Sequence, residues 1–149
     1  MAGNKALIRA KREKNDEFMT RIQDVDAEMQ AYLAYDPDVF RGATIFCPCD
    51  EPERSAFPRW FREHAAECGI ARVLSSAYRK GGRGVWEDWT PDACTRGEWE
   101  GDGDFRSPEV TAWRRRADFI ITNPPFSLFR EFMAWVWEGE QESMEAGAC

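Results

Sequence analysis

The feature that most constrains the fold of this chain is a short apolar run that stops at two prolines. Residues Asp118–Thr122 read Asp-Phe-Ile-Ile-Thr, a β-branched and aromatic pattern typical of a buried strand. Pro124 and Pro125 follow almost at once, and each lacks a backbone N–H and restricts the residue before it. The strand must therefore end in a stiff turn, and its neighbours must cover it on both faces.

Alternating patterns divide the rest of the chain. A three-and-four spacing of apolar residues from Asp16 predicts a helix that ends near Asp36, and residues 43–47 and 70–78 predict strands. Helices are expected after Ser55, after Ser107 and after Ser127, each serine acting as an N-cap. Residues 79–101 are rich in Gly, Trp and charge and predict a long loop or a hairpin. This order predicts an α/β sheet built from parallel units.

Length and charge set the domain organisation. A chain of 149 residues with 43% hydrophobic residues fits one domain with its own core. We expect a basic flexible arm at residues 1–15, a folded domain at 16–137 and an acidic tail at 138–149. No apolar run approaches the roughly 20 residues of a membrane span, so we expect no membrane association and a cytoplasmic protein.

Metal binding is not expected. The five cysteines are an odd number, which favours free thiols, and Cys47 and Cys49 are separated by one residue rather than the two of common zinc sites. His64 is the single histidine. The net charge of -7 also argues against a protein that binds DNA mainly through a basic surface.

The segment Asn123-Pro124-Pro125-Phe126 is the strongest candidate for chemistry. In open α/β sheets ligands bind beyond the carboxyl ends of strands, where this segment is predicted to lie. The Asn123 side-chain oxygen and the Pro124 carbonyl could accept both hydrogens of a planar amine while Phe126 stacks on the attached ring. Two such acceptors favour the tetrahedral nitrogen of methyl transfer without a strong base. The alternative is a Pro-Pro turn that only ends a buried strand.

These residues resemble the catalytic motif of amino-methyltransferases that use S-adenosylmethionine. Further stretches resemble the EcoRI-type adenine-specific DNA methyltransferases in the same order, and the resemblance covers roughly residues 14–137. They are Lys-Asn-Asp-Glu-Phe at 14–18, Cys-Pro-Cys-Asp-Glu-Pro at 47–52 with Ser55 and Phe57, Asp-Gly-Asp-Phe-Arg-Ser-Pro-Glu at 102–109, and residues 117–132.

The resemblance implies roles for individual residues. Asn123, Pro124, Pro125 and Phe126 would form the catalytic motif that holds and activates a flipped adenine. Phe18, Thr20, Cys49, Asp50, Asp104 and Phe105 would contact the cofactor, S-adenosylmethionine. Met19 stands where a tyrosine is usual in this family.

The resemblance also implies a Rossmann-like methyltransferase sheet, of which only the first four strands with flanking helices are expected here. The expected function is adenine-N6 methylation of double-stranded DNA, by a chain that is a truncated form. One alternative is an inactive methyltransferase remnant or partner-binding fragment, and another is an N-methyltransferase acting on RNA or on protein amides.

An uncovered strand edge is a further expectation. If the sheet stops after Asp118–Thr122, the outer edge of that strand lies open beside a helix carrying Phe129, Phe132 and Trp135. Open edges and apolar faces promote pairing with other chains. We therefore expect self-association or binding of a complementing fragment.

Overall fold

The computed structural model of the protein describes residues 22–147. The predicted basic arm, the start of the first helix and the candidate residues Phe18 and Thr20 lie outside the described residues. The helices are α1 (Ile22–Tyr35), α2 (Ala56–Glu63), α3 (Ala65–Cys68), α4 (Pro108–Arg114) and α5 (Phe129–Gly147). The strands are β1 (Thr44–Cys47), β2 (Arg72–Ala77), β3 (Val85–Trp89), β4 (Cys94–Glu98) and β5 (Phe119–Ile120).

The strands form a single mixed sheet in the order β4-β3-β2-β1-β5. β1 runs parallel to both β2 and β5, whereas β3 is antiparallel to β2 and to β4. The α/β class predicted from the sequence is confirmed, but the predictions of purely parallel units and of four strands are wrong. The Gly- and Trp-rich segment contains a hairpin of two strands, and a hairpin extends a sheet without a crossover helix.

Helices cover both faces of the sheet, as alternating side chains on β1 illustrate. Ile45 and Cys47 join the core formed with α1, α2 and α3, while Phe46 points into the core formed with α4 and α5. All three are fully buried. A strand buried on both faces reads as a continuous apolar run, which is why β1 could be recognised in the sequence.

A buried carboxylate anchors the hairpin to the layer of α2. Glu87 on β3 is fully buried and contacts Arg62 Nη1 of α2 at 3.1 Å and Arg96 Nε of β4 at 2.6 Å. Two guanidinium groups offset the cost of removing this charge from water. The pairing fixes the hairpin against α2.

The last helix differs from its prediction at both ends. Ser127 is not an N-cap, because it lies inside a 3₁₀ turn (Phe126–Leu128) and α5 begins at Phe129. Residues 138–147, predicted as an acidic tail, continue the helix to Gly147. The physical reason is Arg114 of α4, which is 5% exposed and donates to the Trp135 carbonyl at 2.7 Å and to Glu142 at 2.9 Å.

One apolar face of α5 is exposed, and it coincides only in part with the one expected. Phe132 and Trp135 are each 5% exposed and pack in the core, which corrects the prediction that they form an open face. Phe129 is about half exposed, as expected, and Met133 and Trp137, at a spacing of four residues, are exposed to the same degree. Within the described residues β5 is an edge strand, as expected. On its inner side, Ile121 N–H donates to the carbonyl of Phe46 on β1 at 3.0 Å.

No helix in residues 22–147 is both long enough and apolar enough to span a membrane.

The packing of Arg114 across α5 predicts an unusual response to a glycine substitution. A Cβ on Gly139 would lie 2.5 Å from Arg114 Cδ and 2.8 Å from its Nε. Alanine favours a helix over glycine by about 1 kcal/mol, but overpacking in a core costs about 1–3 kcal/mol. We expect Gly139→Ala to lower the free energy of unfolding in urea, whereas Ser143→Ala on the exposed face of α5 leaves it unchanged or raises it. A stabilising Gly139→Ala would contradict this packing.

Candidate active site

The loops that follow the parallel strands enclose a cavity of about 780 Å³. The carboxyl ends of β1, β2 and β5 lie at one edge of the sheet, where α/β proteins bind ligands. The volume lies within the usual range for small-molecule sites, about 300–1,000 Å³. The lining residues are Pro48, Cys49, Glu51, Arg54, Ser55, Ala77, Tyr78, Arg79, Gly103, Asp104, Phe105, Arg106, Asn123, Pro125, Ser127 and Leu128.

A hydrogen-bond network joins the loops after β1 and β5 at one side of this cavity. Asn123 donates to Asp50 through its backbone N–H at 3.1 Å and through its side-chain Nδ2 at 3.0 Å. The Thr122 hydroxyl donates to the same carboxylate and accepts from Cys49 N–H at 3.0 Å. Asp50 is 1% exposed and is not among the lining residues, so its contact with a cofactor stays a prediction.

Burial dominates the electrostatics of this network. Desolvation raises the pKa of Asp50 to about 6, and the hydrogen bonds from Thr122 and Asn123 only partly oppose that shift. Burial and the neighbouring Asp50 charge also raise the pKa of the Cys49 thiol well above its ordinary value. Cys49 therefore lines the cavity as a neutral thiol and not as a nucleophile.

The predicted catalytic motif is only partly at the cavity wall. Asn123 and Pro125 line the cavity, whereas Pro124 and Phe126 do not. Phe126 is 43% exposed at the start of the 3₁₀ turn, which the Pro125 carbonyl stabilises by accepting from Leu128 N–H at 3.0 Å. The Phe126 ring is thus open to contact from outside rather than part of the core.

Asp104 and Phe105 reach the cavity from the loop that precedes α4. The Asp104 carboxylate accepts from Arg106 Nε at 3.0 Å and Nη2 at 2.8 Å, and these hydrogen bonds lower the pKa of Asp104. Phe105 is 4% exposed, and its ring packs edge-on against Phe132 and Trp135. The Asp104 side chain can accept hydrogen bonds at the cavity, while the Phe105 ring is held mainly by the core.

The loop carrying Asp104 depends on a glycine. Gly103 has a φ of +82°, and a Cβ there would lie 2.6 Å from the Ala77 carbonyl oxygen and 3.0 Å from Gly84 Cα. A side chain would therefore be strained by the backbone conformation and would also collide with the end of β2. The close approach brings Asp104 to the cavity beside Tyr78.

Sequence reasoning missed the cavity residues supplied by the ends of β1 and β2. Glu51 and Arg79 form an ion pair of 2.7 Å at the wall, and Arg54 and the half-exposed Tyr78 lie near them. The sequence carries a signal for Arg79, because it opens the Gly-rich basic run at residues 79–84. Their convergence depends on contacts between loops that the sequence keeps far apart.

The cavity wall carries groups that suit a ligand with both apolar and polar parts. The apolar surface comes from Pro48, Ala77 and Leu128. The charged groups are the carboxylates of Glu51 and Asp104 and the guanidinium groups of Arg54, Arg79 and Arg106. No group of three or more His, Cys, Asp or Glu side chains in residues 22–147 is arranged to hold a metal ion. The Asn123 side-chain amide adds a hydrogen-bonding group that does not titrate.

Comparisons with known proteins agree with the motifs. The family described as "Adenine-specific methyltransferase EcoRI" matches residues 6–92 and 88–147. The chain is 31% identical to the type II methyltransferase M.EcoRI of Escherichia coli over 89% of its own length and 45% of the relative's. It is 29% identical to the type II methyltransferase M.MpnI of Mycoplasma pneumoniae over 93% of its own length and 42% of the relative's.

The match has two limits. The chain spans less than half of the length of these curated relatives. No solved structure matches the chain significantly, so the Rossmann-like assignment stays a prediction beyond the mixed α/β sheet described above. The family match nevertheless extends over nearly all of the chain and includes the segments that enclose the cavity, and the chain belongs to the EcoRI adenine-specific methyltransferase family.

Proposed function

We propose that this chain is the catalytic part of an adenine-N6 DNA methyltransferase that uses S-adenosylmethionine. The observation that carries the proposal is the position of Asn123 and Pro125, which lie at the end of β5 on the wall of a cavity large enough for a cofactor. The family membership supports the reaction class, and the relatives are named type II methyltransferases.

The cavity residues fit the chemistry of S-adenosylmethionine. The cofactor carries a sulfonium cation, a ribose, a purine ring with an amine, and an amino-acid end with both charges. The Asp104 and Glu51 carboxylates can accept from its amine or hydroxyl groups, and Arg54 can bind its carboxylate. Gly103 lets the loop that carries Asp104 approach the end of β2, because a Cβ there would lie 2.6 Å from the Ala77 carbonyl oxygen. The bound cofactor supplies an electrophilic methyl group.

The Asn123 motif would act on the target amine by holding its two hydrogens. The side-chain oxygen of Asn123 accepts from one N–H, and the Pro124 carbonyl accepts from the other. Drawing on both N–H bonds reduces delocalisation of the nitrogen lone pair into the base and favours a tetrahedral nitrogen. Because the two acceptors are fixed on a rigid turn, this stabilisation needs no reorganisation during the reaction.

The exposed ring of Phe126 suits a base that arrives from outside the protein. An adenine in duplex DNA must leave the stack to reach such a site, at a cost of about a few kcal/mol. A ring that is 43% exposed can stack on the extruded base and recover part of that cost. The cavity wall carries three arginines against two carboxylates, Glu51 and Asp104, so its charge is slightly positive in a chain whose net charge is -7.

We expect Asn123→Ala to abolish methyl transfer from labelled cofactor to DNA. Phe126→Ala should lower transfer by the loss of a stacking contact worth about 1–3 kcal/mol, with little loss of stability, and Phe126→Trp should retain much of the activity. Tyr35→Ala is the control, because Tyr35 is 94% exposed at the end of α1 and lies outside the cavity wall.

Two outcomes would contradict these roles. Transfer that survives Asn123→Ala would rule out the catalytic assignment, and unfolding of Phe126→Ala would make that ring structural. Assays with RNA and with protein substrates in parallel separate the DNA reaction from the alternative acceptors.

Asp104 provides a test of the cofactor site. Because its carboxylate accepts at the cavity wall, Asp104→Ala should weaken S-adenosylmethionine binding by about 1–3 kcal/mol, measured by calorimetry. Its ion pair with Arg106 is partly exposed to solvent, so the melting temperature without cofactor should change little. Asp92→Asn in the exposed hairpin turn is the control and should leave the affinity unchanged. Equal affinities in wild type and Asp104→Ala would remove Asp104 from the cofactor site.

A second candidate function, binding of a complementing chain, is favoured by the outer side of β5 and α5. β5 has no neighbour on its outer edge among the described residues, and Phe129, Met133 and Trp137 form an exposed apolar stripe. An apolar stripe next to an open strand edge favours association with another chain. A partner that adds strands to the sheet would cover both features.

We expect the isolated chain to associate reversibly at tens of micromolar in sedimentation velocity experiments, since charge screening over about 8 Å leaves short-range pairing intact. Met133→Gln should weaken this association without changing the net charge. Tyr35→Gln, at a residue 94% exposed at the end of α1, should not. A monomer at every concentration would show that the stripe and edge do not mediate binding.

A further inference from the structure

Asp50 occupies an unusual position for an acidic residue. It is 1% exposed, and one carboxylate oxygen accepts from both Asn123 N–H and the Thr122 hydroxyl, while the other accepts from Asn123 Nδ2 at 3.0 Å. The Thr122 hydroxyl already accepts from Cys49 N–H, so its own hydrogen points to Asp50. The carboxylate is therefore surrounded by donors from neighbouring loops.

This arrangement has a consequence for the asparagine amide. An asparagine side chain has an oxygen acceptor at one end and an NH₂ donor at the other, and a rotation of half a turn exchanges them. An ionised carboxylate only accepts hydrogen bonds, so it selects the orientation in which Nδ2 faces Asp50 and Oδ1 faces away. The reverse orientation would set two oxygens against each other and would turn the NH₂ group toward an amine, which is also a donor.

We propose that Asp50 is a positioning residue that fixes the orientation of the Asn123 amide, so that Asn123 presents its oxygen and not its NH₂ to the target amine. The proposal rests on the proposed function for the direction of the effect on catalysis. It assigns Asp50 a role through Asn123, in place of the cofactor contact implied by the family resemblance.

A purely structural role explains this carboxylate poorly. No ion pair to Asp50 occurs among residues 22–147, and burial raises its pKa from an ordinary value near 3.8 to about 6. A pKa that is higher in the folded state means that this group favours folding when protonated, and that contribution is lost as the pH rises from about 4 to 6. The ionised carboxylate thus lowers stability at neutral pH, where a neutral side chain of the same shape would not.

The same titration gives the expected pH dependence. Below about pH 6 the carboxyl gains a proton and can itself donate, so it no longer selects one orientation of the amide. The thiols of Cys47 and Cys49 are the titratable groups that interact with Asp50, and burial raises the pKa of both well above the ordinary value. They stay neutral between pH 5 and 8, so neither thiol changes the charge next to Asp50 in this interval.

Asp50→Asn tests the proposal directly. The new amide would place its oxygen toward Asn123 N–H and Thr122 and its NH₂ toward the Asn123 side chain, which would then turn its own oxygen inward. We expect kcat to fall by about 100-fold or more, in line with the removal of one preorganised group from an active site. The KM for DNA and the Kd for S-adenosylmethionine should stay within about threefold, and stability at pH 8 should be unchanged or higher. Asp92→Asn, the loss of an exposed carboxylate in the hairpin turn, is the matched control.

Three measurements separate positioning from structure. In the Asn123→Ala background Asp50→Asn should have no further effect on residual transfer, because the amide that it orients is gone. In wild type, transfer should fall as the pH drops through about 6. The Asn123 side-chain NH₂ signals in ¹⁵N spectra, assigned from their loss in Asn123→Ala, should shift over the same interval and should lose that shift in Asp50→Asn.

The outcomes distinguish the two proposals. A wild-type chain that transfers no methyl group but shows the coupled titration of the Asn123 amide would contradict the proposed function and leave the positioning role intact. Normal kcat in Asp50→Asn, additive effects in the double variant, or Asn123 signals that do not respond to Asp50 would each overturn the positioning role.

Discussion

The candidate site depends on one buried residue, Asp50, whose backbone and side chain together join three strand ends. Asp50 follows β1, its backbone N–H donates to the Ser76 carbonyl of β2 at 3.0 Å, and its side chain binds the residues that follow β5. The parallel register of β1 with both neighbours brings these ends to one edge of the sheet. Without the carboxylate the loop after β5 would keep its prolines but lose the contact that sets its side chains.

The rigidity of this arrangement comes from the sheet behind it. β1 is buried on both faces, by α1, α2 and α3 on one side and by α4 and α5 on the other. The second of these layers is held by Arg114, whose guanidinium crosses α5 at Gly139, where no side chain intervenes. Groups mounted on the ends of packed strands keep their geometry better than groups on free loops, as a preorganised site requires.

Local patterns account for the parts of the fold that the sequence could predict. β1, β2 and β5 follow from apolar runs, and Ser107 caps α4 as expected by accepting from Val110 N–H at 3.4 Å. The antiparallel hairpin could not be distinguished from a loop. Glu87 looks like a solvent-facing position, and its burial depends on Arg62 and Arg96, which lie elsewhere in the sequence.

The candidate site was predictable to the same extent. Asn123 stands directly after a recognisable strand, whereas Asp104 was expected only from the family resemblance, and both line the cavity. The hydrogen bond from Asn123 to Asp50 joins residues 73 positions apart, and the ion pair of Glu51 and Arg79 joins residues 28 apart. The spacing of residues in the sequence therefore indicates neither contact. The helix through residue 147 was missed for a similar reason, because Glu142 is held by an arginine 28 positions earlier.

The two buried carboxylates, Glu87 and Asp50, differ in how their negative charge is compensated. Glu87 is fully buried beside two arginines, so its charge is compensated, as burial of an ion requires. Asp50 is equally buried, but the groups that hydrogen-bond to its side chain are the hydroxyls of Thr122 and Ser55, a backbone amide and the side-chain amide of Asn123. Hydrogen bonds from neutral groups only partly replace water around a carboxylate, which leaves a residual cost at neutral pH. An asparagine at position 50 would satisfy the Thr122 and Asn123 backbone donors at lower cost but would reverse the Asn123 amide. The carboxylate is therefore best explained by the orientation that it imposes.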